Sequence, residues 1–315
     1  MQVFCARTEL ALLHQSEFIV CDGTFEMAPD CAYQLYTLHG FLHGEALPLA
    51  WALLPNKCTA TYVELFSSLN DAFVKEFGDS GNHTFLVDYE QAAIKALRQV
   101  FPQSRIRGCS FHFRQAVYRS VQHEGLKAQY EDETSPVRRW IRQLLAMSAL
   151  PEFAVSLAWS WLSSPPSVDP LTDVKTRRLA EYFESTWIQG DFPPTLWTHF
   201  DNLGPRTTNV AEGFHNGMHS RFGMAHPSLR MFLDWLQKFQ FEIQSRGLQL
   251  LAGRPPKQRP DVYVQLDHNL WSAKLQYGLQ YGQIFCSYPY NSSLQRFHIA
   301  TDHYLCRVSY LSGCQ

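Results

Sequence analysis

Three acidic residues far apart in the chain, Asp22, Asp88 and Glu212, are the ones whose placement suggests chemistry. Asp22 ends the apolar run EFIVCD at 17–22 and Asp88 ends TFLVD at 84–88, and each run reads as a strand. In many α/β sheets the first and fourth strands are neighbours, so carboxylates at their ends would project into one crevice. Like charges there are costly unless a cation neutralises them. Hard oxygen donors in that arrangement suit Mg²⁺ or Mn²⁺. Two such ions about 4 Å apart can activate an attacking water or 3′-hydroxyl and stabilise the leaving oxygen in phosphoryl transfer. For a lone Asp at a strand end, turn formation is the more ordinary role; the repeated placement and a third acid on a late helix shift the balance. Glu212 lies one turn into a helix opening at Thr207-Thr208-Asn209, where capping side chains abound and the macrodipole by itself favours an acid. His215 and His219 share its face. An E-x-x-H pair can ligate iron in helical bundles, but only one clear copy is present.

The elements that must position these acids follow from periodicity. Runs at 17–22, 33–42 and 46–54, separated by turn residues, predict three strands in an antiparallel meander. Apolar residues from Thr59 to Phe77 recur at three- and four-residue steps, which predicts an amphipathic helix. A strand at 84–88, a helix at 90–100 and a strand at 105–111 complete a β-β-β-α-β-α-β order, a mixed five-stranded α/β sheet. Residues 112–162 read as helical, 163–170 as a loop, and 172–189 as a helix broken by the FPP at 192–194. Helices are predicted at 210–222 and 227–246, followed by a linker at 252–260. The tail, 261–315, is the least readable part.

Composition bounds the answer. A chain of 315 residues holds one large domain or two smaller ones, and 45% hydrophobic with 18% charged residues marks a folded protein. The 14% of aromatic residues sit mainly in helical stretches, which reads as core packing. A net charge of −2 and a pI near 6.7 argue mildly against a histone-like binder and say little about a recombinase, which needs only a local basic track. No run of 18 apolar residues predicts a membrane span, and no secretory signal opens the chain. Eight scattered cysteines favour reduced thiols in the cytosol or nucleus. No basic nuclear-import cluster stands out.

With these residues in view, the chain resembles the transposase domain of Mutator-like elements (MULE). The resemblance rests on CDGTFEMAP at 21–29, YQLYTLHG at 33–40, FLVDYEQAAIKAL at 85–97, GCSFHFRQA at 108–116 and PRTTNVAEGFHN at 205–216. Each block alone is weak, and five in family order over about residues 17–245 are specific. The resemblance implies a ribonuclease H-like fold interrupted by an all-helical insertion, and an Asp-Asp-Glu metal triad that maps onto Asp22, Asp88 and Glu212. The expected division is a first part of the core at 1–125, the insertion at 126–204, core-closing helices with Glu212 at 205–250, and an unassigned tail at 251–315. The implied activity is two-metal DNA cleavage and strand transfer with Mg²⁺ or Mn²⁺, on DNA, in the nucleus, by a homo-oligomer if active, with no membrane partner.

The family also carries a Cys-x-x-His element between the second Asp and the Glu, which Cys109 and His112 match. Three readings stay open: half of a zinc site, a structural or phosphate-contacting pair near the metals, or a buried strand cysteine beside a helix-start histidine. Arg107 and Arg114 lie in a stretch, 103–119, without acids, and Arg206 directly precedes the Glu212 helix; all three, with His112, are candidate DNA contacts. Solvated helix faces give similar counts. Cys286, His298, His303, Cys306 and Cys314 are zinc-ligand types whose spacing matches no zinc pattern. Transposases of this kind usually carry a zinc module before the core, and 21 residues precede Asp22 here. The expectation is therefore a fragment or a decayed or domesticated copy. The alternative to an enzyme is a non-catalytic, transposase-derived DNA- or protein-binding factor.

Overall fold

The computed structural model describes residues 1–287 and 290–311, with the side chains of 281–295, 297 and 310–311 left aside. The chain opens with β1 (Gln2–Phe4) and α1 (Arg7–His14), then β2 (Phe18–Thr24), β3 (Gln34–Leu42) and β4 (Glu45–Leu54). Next come α2 (Thr59–Phe77), β5 (Thr84–Val87), α3 (Gln91–Val100) and β6 (Arg105–Gly108). A wholly helical stretch follows: α4 (Ser110–His123), α5 (Lys127–Glu131), α6 (Pro136–Ala146), α7 (Glu152–Leu162), α8 (Pro170–Phe183) and α9 (Pro194–Trp197). The last described elements are α10 (Asn209–Phe222), α11 (Leu229–Leu251), α12 (Asp261–Ser287) and α13 (Tyr290–Leu311).

These elements form two compact units. One contains Met1–Cys109 and Gly204–Lys257; the other contains Ser110–Leu203 and Gln258–Gln315. The tail, the least readable part of the sequence, thus supplies two long helices to the helical unit.

The first unit is built on a mixed six-stranded sheet, ordered β1-β4-β3-β2-β5-β6. The sequence predicts five strands; β1 is the sixth, and its three residues are too few to show an alternation. β1 pairs antiparallel with β4, β4 with β3 and β3 with β2, while β2, β5 and β6 run parallel. β4 reads as an unbroken apolar run because it is buried on both faces. On one face Tyr62 and Phe66 of α2 pack against Tyr36 and Phe85. On the other, Met218 of α10 with Phe232 and Leu236 of α11 covers Leu35, Trp51 and Leu53. Further along that second face, Ala211 of α10 sits on Val20 and Leu86.

The helical unit has an aromatic core. Phe113, Phe183, Trp187 and Trp197 are buried there, and the Phe113 and Trp197 rings stack at 5.1 Å. The indole N–H of Trp197 donates to the carbonyls of Trp187 and Phe192, which removes the cost of burying it. No described helix is long and apolar enough to cross a membrane.

Candidate functional site

Register sets two of the expected acids two residues beyond one aligned pair. Val20 of β2 is aligned with Leu86 of the parallel neighbour β5. Two residues further along are Asp22, which strand alternation directs to the same face as Val20, and Asp88. Asp22 does not end its strand as expected; β2 continues to Thr24, and Asp22 is aligned with Thr37 of β3. Asp88 lies just past β5, where its Oδ1 accepts the Glu90 N–H at 3.2 Å, the turn-forming contact of an Asx residue.

The negative field at these strand ends is read by their neighbours. Burial pushes the Cys21 thiol up, and the carboxylates of Asp22 and Asp88 push it further. Burial likewise raises Tyr36, with Cys21, Tyr62, Asp88 and Glu90 adding to it. Glu90 is itself raised, by burial first and by Asp88 second. It is a further carboxyl at these strand ends, absent from the expected triad, and the spacing Asp88-Tyr89-Glu90 is the signal that points to it.

The helix α10 covers this face. Ala211, His215 and Met218 are its buried residues, one side of the helix at steps of four and three, and Glu212 is half-buried beside Ala211. His215 Nδ1 stands 3.4 Å from Asp22 Oδ2, with both side chains about nine-tenths buried. At that length the contact is electrostatic and looser than an aligned charged hydrogen bond. Behind it runs a chain of polar contacts. His215 Nε2 is 2.9 Å from Thr37 Oγ1, and Thr37 Oγ1 is 3.0 Å from His39 Nε2. Burial lowers His39 to about 3, with His215 adding to the effect, so His39 is neutral. Its Nε2–H then donates to Thr37, whose hydroxyl proton can go to His215 Nε2 or, at 3.3 Å, to the Asp22 carbonyl. Among the described residues no three His, Cys, Asp or Glu side chains already form a closed ligand group. The donors are nevertheless of the right kind, since oxygens from Asp22, Asp88 and Glu212 suit a hard divalent cation.

Residues 18–116 match the family model of the MULE transposase domain. This stretch is a MULE transposase domain. No curated protein matches the chain.

The MULE domain runs from β2 into α4, so Asp22, Asp88, Arg107, Cys109, His112 and Arg114 lie inside the match, while Arg206 and Glu212 lie beyond it. Cys109 ends the first stretch of the sheet-bearing unit, whereas His112 sits in the first turn of α4, in the helical unit. Cys109 is buried, and its Sγ accepts the N–H of Thr208 at 3.3 Å and its hydroxyl at 3.4 Å. Thr208 is the N-cap residue of α10, yet its side chain makes no cap bond, being turned to Cys109. Before Cys109, Gly108 is required by close approach. A Cβ there would lie 2.5 Å from the ring of Tyr89.

The expected basic contacts differ in their local settings. Arg107 is aligned with Leu86 and only 4% exposed, inside the fold and not on its surface. Arg114 donates from Nε to the Ser110 carbonyl at 3.3 Å within α4. Arg206 is half-buried in the segment before α10. Of the late zinc-ligand types, the Cys286 side chain and Cys314 lie outside the described residues.

Proposed function

We propose that Asp22, Asp88 and Glu212 hold two Mg²⁺ or Mn²⁺ ions and that the chain cuts DNA and joins strands, as a DDE transposase on a ribonuclease H-like core. That a MULE transposase domain works on DNA follows from the family. The finer reading is carried by one observation. Asp22 and Asp88 each follow by two residues an aligned pair of neighbouring parallel strands, Val20 and Leu86, on which Ala211 of α10, the residue before Glu212, is packed. The strand order supports the ribonuclease H-like reading, with an antiparallel meander on one side of β2 and the parallel β5 and β6 on the other.

When bound, the ions would activate a water or a 3′-hydroxyl and stabilise the leaving oxygen. The chain's own residues do the positioning. His215 stands against Asp22, Thr37 holds the far nitrogen of that ring, and neutral His39 holds Thr37. Cys109 anchors the start of the helix that presents Glu212. The same reading brings a nuclear location, and an oligomer for the joining step.

The test is cleavage of labelled duplex DNA with Mn²⁺, together with Mn²⁺ binding followed by calorimetry. Wild-type chain should bind and cut; Asp88→Asn and Asp22→Asn should do neither while remaining folded. Cleavage retained in Asp88→Asn would remove the assignment.

A further inference from the structure

Within the helical unit, α6, α12 and α13 enclose a cleft of about 830 Å³. Its lining is strongly one-signed. Arg138, Arg139, Arg142 and Arg307 line it with His303, and Glu133 is the one acid among the described lining residues. Glu133, whose side chain is 87% exposed, stands 3.5 Å from Arg138. Asp302, which does not line the cleft, stands 2.6 Å from Arg139, itself 62% exposed. Arg142 is buried and donates to the main-chain carbonyl of Ser309 at 2.6 Å. Arg307 is exposed, and its Nη1 donates at 2.5 Å to the side-chain oxygen of Gln276, a neutral acceptor. A neutral acceptor fixes the Arg307 guanidinium in place without cancelling its charge. The floor is rigid: the rings of Tyr277 and Tyr304 stack at 4.4 Å, and their hydroxyls are bonded to Thr301 and to the Ala149 carbonyl. The positive end of α6 opens on the same space.

A preorganised set of arginine forks around a space of this size suits phosphate groups, which accept paired N–H bonds. It is too large for one phosphate alone. We propose that this cleft is a second DNA-binding site, gripping the phosphodiester backbone through residues other than the carboxylates. The inference rests on the reading that DNA is what the transposase domain works on, but not on metal chemistry.

The experiment titrates fluorescein-labelled duplex DNA with the full chain in EDTA across a salt series. Arg307→Gln and Arg139→Gln should each weaken binding several-fold and reduce the salt slope by about one, the value for one lost phosphate contact. Arg307→Lys should keep the slope, because the slope counts charge. Arg307 is exposed, so its variant carries the test even if Arg139→Gln, which loses Asp302, fails to fold. Unchanged affinity and slope in Arg307→Gln would overturn the proposal, as would a cleft that takes inorganic tripolyphosphate but does not release it to duplex DNA. Asp88→Asn should bind with the wild-type slope. Loss of the cleavage reading with arginine dependence intact would therefore fail the metal site alone; cleavage without arginine dependence would fail the cleft alone.

Discussion

The Sγ atom of Cys109 accepts both hydrogen-bond donors of Thr208, 99 residues later in the chain. Both residues are fully buried, so neither donor has water to turn to. The contact ties the end of β6 to the start of α10, the helix that carries Glu212 and whose His215 stands against Asp22. Cys109→Ala should cost about 1–3 kcal/mol for donors left unsatisfied, plus the cavity term. Thr208→Val removes only one donor and should cost less. Urea unfolding of both and of the double variant should show non-additive losses. Additive losses would mean the two side chains act independently.

Thr37 is the joint of the polar chain behind Asp22, its hydroxyl touching both His215 and His39. Thr37→Val keeps the shape and strands two buried ring nitrogens, at a cost of about 1–3 kcal/mol for each. If His215 positions Asp22 for a cation, Mn²⁺ affinity should fall about 10–100-fold as well, the usual effect of losing a group that orients a ligand. Thr37→Ser, which keeps the hydroxyl, should restore Mn²⁺ affinity. A stability loss with unchanged Mn²⁺ affinity would leave the chain of contacts a purely structural device.

Glu45 and Glu9 should give opposite pH signatures. Glu45 receives Nε and Nη2 of Arg246 at 3.0 and 2.5 Å and the N–H of Lys257 at 2.7 Å. The bond from Arg246 holds its carboxyl below the ordinary range. A lowered carboxyl contributes stability that is present above its unfolded value and lost as pH falls through the folded one. Glu45→Gln should thus be less stable than wild type by about 1–3 kcal/mol at neutral pH, with the gap closing in acid. A gap independent of pH would contradict the pairing.

Glu9 is fully buried, and burial raises its carboxyl despite hydrogen bonds from Ala6, Gln240 and Gln244. A raised carboxyl contributes stability present below its unfolded value and lost as pH rises through the folded one. Glu9→Gln should therefore melt higher than wild type at pH 8, and the advantage should vanish toward pH 4. The side-chain amides of Gln240 and Gln244 can rotate to meet the new amide, so the substitution leaves no necessary orphan. Equal melting temperatures at pH 8 would show that burial does not penalise the Glu9 carboxylate.

Much of the sheet is legible in the sequence because its strands alternate or run apolar between turn residues, and the pattern predicts the long amphipathic helix Thr59–Phe77 to the residue. β1 escapes such a reading through its shortness. α12 and α13 escape it because apolar residues such as Val262, Tyr263, Trp271 and Leu279 are exposed on α12, so its pattern does not track burial. His215 is visible as a neighbour of Glu212 on one helix face. Its contact with Asp22 is not, since that depends on where α10 lands on the sheet.

Local pattern is enough to specify the kinds of residue and their immediate placement: acids at the ends of strand-forming runs, an acid and a histidine one turn apart, a cysteine following the last strand. Helix and strand each impose a fixed repeat on side-chain direction, so these placements follow without any knowledge of packing. Which of them meet is a matter of the folded chain. The pairing of β2 with β5 aligns Val20 and Leu86, two residues before Asp22 and Asp88, and the packing of Ala211 on that pair delivers His215 to Asp22 and Thr208 to Cys109. Such meetings depend on sheet register and helix packing, which are set by the summed burial of many side chains and leave no mark in the spacing of the few that touch.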